Sequence, residues 1–242
     1  MEGLGGLRVL DSRIGGCECT STGNLQGLAG MGDLVQCANA ESRTLKNFRL
    51  IGTVDVEPLL HAVTEHSELW DSNRVRTWHR ASPHYGKPDI VLRFQDWHPG
   101  EDYFDRVLTT LGCIEYPAYA AIPEARAVIE TIAAMVGAVE TGRLYISRTP
   151  PGAHTPDHVD RIIPAEKRFP NRPIVCEYYD RYHVSLQSAS GLLFHSGKES
   201  IFPAVGEVWW HNNLSKHSVE NGSSVEWIQM ALDFRIDRAT DC

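Results

Sequence analysis

Apolar residues recur at helical spacing in two stretches of the chain. Asp55 stands where a helix cap is expected, Glu57 falls in the first turn, and Val56, Leu59, Leu60 and Val63 form one stripe that runs to about Trp70. Pro123 suits the first turn of a second helix, whose stripe of Val128, Ile129, Ile132, Met135 and Val136 ends near Gly137. Between them, Asp89 to Phe94 reads as a strand, and Tyr103 to Leu111 as a short helix before Gly112. Beyond residue 142 the texture changes. Short β-rich runs follow one another with Gly, Pro and Asn between them: Arg143–Arg148, Arg181–Gln187, Leu192–His195, Glu207–Trp210 and Val225–Phe234. This pattern predicts a mainly β fold, an antiparallel barrel or jelly roll, with the helices buttressing one sheet and a cavity at the mouth.

A chain of 242 residues suits one sizeable domain. Residues 1–42 are Gly-rich without sustained periodicity and read as a loosely held arm. Residues 43–242 read as one domain, with a helical and mixed part at 43–141 and a β core at 142–238. The formal charge of −8 supplies no overall basic field and argues against nucleic acid as the partner. No window is apolar enough for a membrane helix, and Met1 to Leu10 lacks the start of a leader, so the expectation is a soluble, cytoplasmic protein. The six cysteines, at 17, 19, 37, 113, 176 and 242, match neither a zinc site nor a disulfide framework and receive no role.

The chemistry concentrates in the second half. In His158-Val159-Asp160, residues two apart on an extended strand point to one face and can share an ion. Taken alone, such a pair is more often a surface feature. A third donor, His217, lies 59 residues further on, in Lys216-His-Ser-Val-Glu-Asn221. Two imidazoles and one carboxylate leave the opposite face of a metal open, which suits an Fe(II) oxygenase, although zinc with a bound water uses the same set. Arg181-Tyr182-His183 is another pair on one strand face. Its guanidinium suits the carboxylate of an acid co-substrate, or else merely pairs with Asp180, Glu177 or another acid.

The run Tyr178-Tyr-Asp-Arg-Tyr-His-Val-Ser-Leu-Gln-Ser188, then Gly206-Glu-Val-Trp-Trp-His-Asn-Asn213, then His217-Ser-Val-Glu-Asn221 resembles the aspartyl/asparaginyl β-hydroxylase family, especially its short phage and bacterial members. The resemblance is best from about Arg143 to Asp237, with a second stretch from Phe48 to Phe94; the first 42 residues match nothing recognisable. It implies a double-stranded β-helix, a cupin-like jelly roll, holding Fe(II) through His158, Asp160 and His217, with His158 rather than His154 as first ligand. It further implies 2-oxoglutarate and O2 as co-substrates, with Arg181, His183 and Ser147 at the 2-oxoglutarate positions. The implied activity is hydroxylation of an unactivated C–H, the β-carbon of an amino acid, a peptide or an amino-acid-derived small molecule, with release of succinate and CO2. Retention of Asp160 favours hydroxylation over halogenation.

One departure matters. Ten residues beyond the distal histidine the family commonly carries an arginine, where this chain has Trp227, and Gln229 sits where a histidine is common. The loss would weaken 2-oxoglutarate binding, change the keto acid accepted, or mark a metal-binding jelly-roll module without oxygenase activity, unless Arg93, Arg148 or Arg235 enters the pocket and supplies the charge. A partner-binding protein that needs no metal is the third reading. Substrate-pocket candidates are Trp209, Asn213, Arg93, His84 and Trp227, set against core or surface placement for each. His79 is a further candidate for the pocket mouth. His61, Glu65 and His66 read as a solvated helix face.

Overall fold

Strands buried on both faces organise this molecule. The computed structural model describes residues 45–98, 101–160 and 175–237. The arm at 1–42 and Cys17, Cys19, Cys37 and Cys242 lie outside the described residues. Among the described residues eleven strands form two antiparallel sheets. In chain order they are β1 (Phe48–Thr53), β2 (Asp89–Phe94), β3 (Ile114–Glu115), β4 (Ala138–Thr149), β5 (His154–His158), β6 (Asp180–Gln187), β7 (Leu192–Ser196), β8 (Glu199–Ile201), β9 (Glu207–His211), β10 (His217–Asn221) and β11 (Trp227–Ile236). The larger sheet runs β1-β9-β6-β11-β4-β2-β3 and the smaller β5-β10-β7-β8. The eight strands β4 to β11 divide equally between the sheets, with β9-β6-β11-β4 facing β5-β10-β7-β8. That is the jelly roll the sequence predicts.

Alternation along the central strands separates core from site. On β6, Tyr182, Val184 and Leu186 enter the main apolar cluster, while Arg181 and His183 point to the barrel interior. On β11, Met230 and Leu232 pack outward and Gln229 lines the interior; on β4, Leu144 and Ile146 pack outward and Tyr145 and Ser147 line it. Helices α1 (Glu57–Glu65) and α4 (Glu124–Val136) cover the outward face with Leu59, Val63, Val128, Ile129 and Ile132. Each such side chain contributes about 1.5–3 kcal/mol of burial.

The expected helices are present with shifted ends. The cap position falls on Val56, one residue beyond the expected Asp55, whose carboxylate still accepts the Glu57 amide at 3.0 Å; α1 stops at Glu65 rather than near Trp70, followed by a 3-10 turn at Ser67–Leu69. The second stripe is narrower than its spacing suggests, because Met135 is exposed. Gly137 ends α4 at φ 66°, a left-handed backbone suited to glycine. Between β2 and β4, α2 (Tyr103–Thr109) and α3 (Pro117–Ala121) add to the wall, and α5 (Val175–Tyr178) precedes β6. No helix among the described residues is long and apolar enough to cross a membrane.

Candidate metal centre

His158 ends β5 and His217 begins β10, and the two are register partners across that strand pair. Their ring centroids lie 4.2 Å apart. The His158 Nδ1 donates to the Pro156 carbonyl at 2.8 Å, and the His217 Nδ1 to the Ser215 carbonyl at 2.9 Å. A carbonyl only accepts, so in each ring Nδ1 carries a proton and Nε2 is the atom left to face the site. Those two Nε2 atoms stand 3.8 and 3.7 Å from one oxygen, Oδ1 of Asp160. These separations are too long for hydrogen bonds, but an ion with bonds of about 2.0–2.2 Å can span them. The His158 Nε2 is buried with no other partner, which an ion would correct.

The other Asp160 oxygen accepts from Arg181 Nη1, and Arg181 in turn holds Asp233 through Nε at 2.7 Å and Nη2 at 2.9 Å. Arg181 therefore pairs with neither Asp180 nor Glu177. It binds an acid of its own sheet and presents Asp160, from the loop after β5, to the two imidazoles. Burial alone would raise the Asp160 carboxyl, but Arg181, His217 and His158 outweigh it and hold the group well below the usual carboxylate range. Burial, then the neighbouring His217, lowers His158 to about 4. The donor set at neutral pH is thus one carboxylate and a neutral His158, which fits a divalent cation.

Two cavities meet at this cluster and share Arg76, His84, Tyr145, His158, Asp160 and Arg181 as common wall. The barrel chamber, about 470 Å³ of partly open space, is lined by Lys87, Ser147, Thr155, His183, His211 and Gln229. The outer chamber, about 570 Å³ and likewise partly open, is lined by Phe94, Tyr103, Phe104, Val107, Leu108 and Arg143.

In the barrel chamber, His183 Nδ1 bonds Gln229 Oε1 at 2.8 Å while its Nε2 is buried and unpartnered. Burial, then the Arg181 charge, lowers His183 to about 3, so it is neutral. Lys87 reaches in from the Gly86-Lys-Pro88 turn before β2. Its ammonium bonds the Thr155 hydroxyl and has no carboxylate within ion-pair distance among the described residues.

Other sequence candidates fall differently. His84 lies in both chambers, 5.0 Å from the His158 ring. Trp209 and Trp227 are core residues, packed with Phe48 and Phe194, and line neither chamber; the Trp227 indole donates to Ser185 Oγ at 3.0 Å. Asn213 supports from behind, its carbonyl accepting the Asp160 amide at 3.4 Å. Arg93 lines neither chamber. Arg148 stacks over Trp70 and approaches Glu226 at 3.7 Å, and Arg235 pairs with Glu140 at 3.2 Å, so neither takes the place of the missing arginine. His79 stacks on Tyr103 at 5.0 Å. His61 pairs with Glu65 on the exposed face of α1.

Sequence reasoning missed Lys87, Asp233, Arg143 and His211. His211 is buried beside His217 at 4.8 Å with both ring nitrogens unpartnered, close enough to Asp160 and His217 to serve as a further donor. Its signal was parity, since it sits two residues after Trp209 and opposite Arg181 across β6 and β9.

No family model matches the chain, and no curated protein does. Among solved structures it is similar to a 2OG-Fe(II) oxygenase family oxidoreductase from Burkholderia pseudomallei, at 14% identity over 86% of this chain and 92% of that one, TM-score 0.44. It is also similar to the viral collagen prolyl hydroxylase of Paramecium Bursaria Chlorella virus-1, at 12% identity over 79% and 97%, TM-score 0.41. A cupin domain from Bordetella pertussis Tohama I matches 40% of this chain and 83% of its own at 18% identity, TM-score 0.29. Likeness at this level assigns no function, which has to come from the site itself.

Proposed function

We propose that this chain is an Fe(II)- and 2-oxoglutarate-dependent hydroxylase of the aspartyl/asparaginyl β-hydroxylase-like kind, with His158, Asp160 and His217 as its metal ligands. The observation that carries the proposal is the convergence of two Nε2 atoms on one Asp160 oxygen, 3.8 and 3.7 Å away, with both Nδ1 protons tied to carbonyls. Iron and 2-oxoglutarate together would supply oxidation of a C–H bond by O2, with succinate and CO2 released. The protein holds the ligands in one tautomer and keeps Asp160 ionised through Arg181. It also separates a polar chamber from a more apolar one on the two sides of the centre.

The polar chamber is the natural place for 2-oxoglutarate. Ser147 and His183 face it as the family resemblance implies, and Arg181 has three N–H donors committed to Asp160 and Asp233, which leaves its remaining donors for an acid near the metal. Among the described residues the chamber's cation without an acid partner is Lys87, and it takes the far carboxylate in place of the arginine that Trp227 replaces. On the other side, the reacting carbon belongs to an amino acid, a peptide or an amino-acid-derived small molecule.

The alternative, a metal-binding jelly-roll module without oxygenase activity, draws on Trp227 and on His211, a third nitrogen donor that as a fourth ligand would occupy a coordination position. Anaerobic titration of the Fe(II)-loaded protein with 2-oxoglutarate separates the two. The hydroxylase develops the visible charge-transfer band of a chelated keto acid. Metal uptake without that band, and without binding by calorimetry, leaves the module.

A further inference from the structure

The outer chamber contains a charge with no counterpart among the described residues. Arg143, on β4, is 8% exposed, and its partners are neutral: Nε donates to Gln95 Oε1 at 3.0 Å, Nη2 to the Val107 carbonyl, and the guanidinium lies over Phe94 at 4.8 Å. No carboxylate lies within ion-pair distance of it, and Nη1 has no hydrogen bond, among the described residues. A buried cation is costly without an anion, and stacking on an aromatic ring offsets only part of that cost.

The balance of the whole centre points the same way. Arg76, Lys87, Arg143 and Arg181 face it as cations, and Asp89, Asp160 and Asp233 answer them as acids. Arg76 is taken by Asp89 at 2.8 Å and Arg181 by Asp233 and Asp160. When a divalent ion and a dianionic keto acid are added, one positive charge is left over. Arg143 is the cation that faces the outer chamber without an acid. Around it stand Phe94, Tyr103, Phe104, Val107 and Leu108, a mainly apolar wall suited to an apolar or aromatic body.

We infer that the outer chamber binds a carboxylic acid with an apolar or aromatic body, its carboxylate held by Arg143 and its chain directed toward the metal. This deepens the proposed function and rests on the barrel chamber being the place of 2-oxoglutarate. It narrows the substrate to acids with a free carboxylate on the side away from the reacting carbon.

The test uses the full chain loaded with Mn(II) and saturated with 2-oxoglutarate, so that the barrel chamber is filled. The probes are 4-methylpentanoate, 3-phenylpropionate, leucine and phenylalanine, each against its primary amide, by calorimetry. At least one acid is expected to bind about 10-fold or more tighter than its amide, as a charge-assisted hydrogen bond provides. R143Q is expected to remove that preference, and R143K to retain part of it. Equal binding of acid and amide in every pair overturns the inference, as does an undiminished preference in R143Q that thermal unfolding shows to be folded. Should R143Q not fold, the acid-to-amide ratio of the unaltered chain decides alone. A protein that prefers the acids yet binds no 2-oxoglutarate keeps the chamber and loses the hydroxylase reading. One that binds 2-oxoglutarate but prefers no acid does the reverse.

Discussion

Replacing Lys87 by methionine removes the one barrel-chamber cation that has no acid partner among the described residues while preserving most of its length and apolar stem. The ammonium is held by a single hydroxyl, from Thr155, so an incoming carboxylate would replace no ion pair and meet no competing anion. A hydrogen bond between charged partners contributes about 1.5–3 kcal/mol, and at about 1.4 kcal/mol per decade the loss in K87M is roughly 10- to 150-fold in 2-oxoglutarate affinity. Calorimetry on the Mn(II)-loaded protein measures it, with metal affinity as the internal control because Lys87 is not a ligand. Burial, then the nearby Arg76 charge, lowers the Lys87 ammonium to about 8, so the charged form is complete on the acid side of that value. Affinity is therefore flat below about pH 8 and falls by about tenfold per unit above it, whereas K87R, charged throughout, keeps its affinity there. K87M binding within twofold of the unaltered protein would refute the assignment and return the far carboxylate to Arg181.

Three further outcomes are expected. H158A and H217A each abolish stoichiometric Fe(II) binding, read by metal analysis after gel filtration, while circular dichroism stays that of the parent; retained metal in both would exclude the triad. D233N weakens Arg181's hold without touching a ligand, and metal affinity is expected to drop about 10- to 100-fold, as for other groups that orient ligands. L59A, beneath α1, leaves both chambers intact and lowers stability by about 2–5 kcal/mol in urea unfolding, and a loss under 1 kcal/mol would contradict its place at the centre of the helix-sheet core.

Much of the architecture was legible because the large sheet carries its apolar residues in short runs bounded by turn formers. Asp89 to Phe94 matched β2 at both ends, and the runs at Arg181 and Glu207 each missed by one residue. Strands β5 and β10 were harder: His-Thr-Pro-Asp-His and His-Ser-Val-Glu-Asn have the polar composition of loops, since their inward positions serve a site rather than a core. The ligands were readable from spacing. Their supports were not, because Asp233 meets Arg181 only through the register of β11 against β6, which a single strand does not encode. Lys87 lies in a turn without periodicity, and the unbalanced charge of Arg143 becomes visible only once the neighbours of β4 are known. Trp209 was attractive as a wall residue by its motif and shares the inward face of β9 with His211, yet its place further along the strand puts it in the aromatic cluster with Phe48.

The chain of contacts from Asp160 through Arg181 to Asp233 fastens Asp160 to the opposite sheet through protein groups alone. A seat braced in this way does not depend on its occupant for shape. A metal ion bound there should then come and go without refolding, so that a cell short of the metal would keep an intact stock of this protein, ready to be refilled.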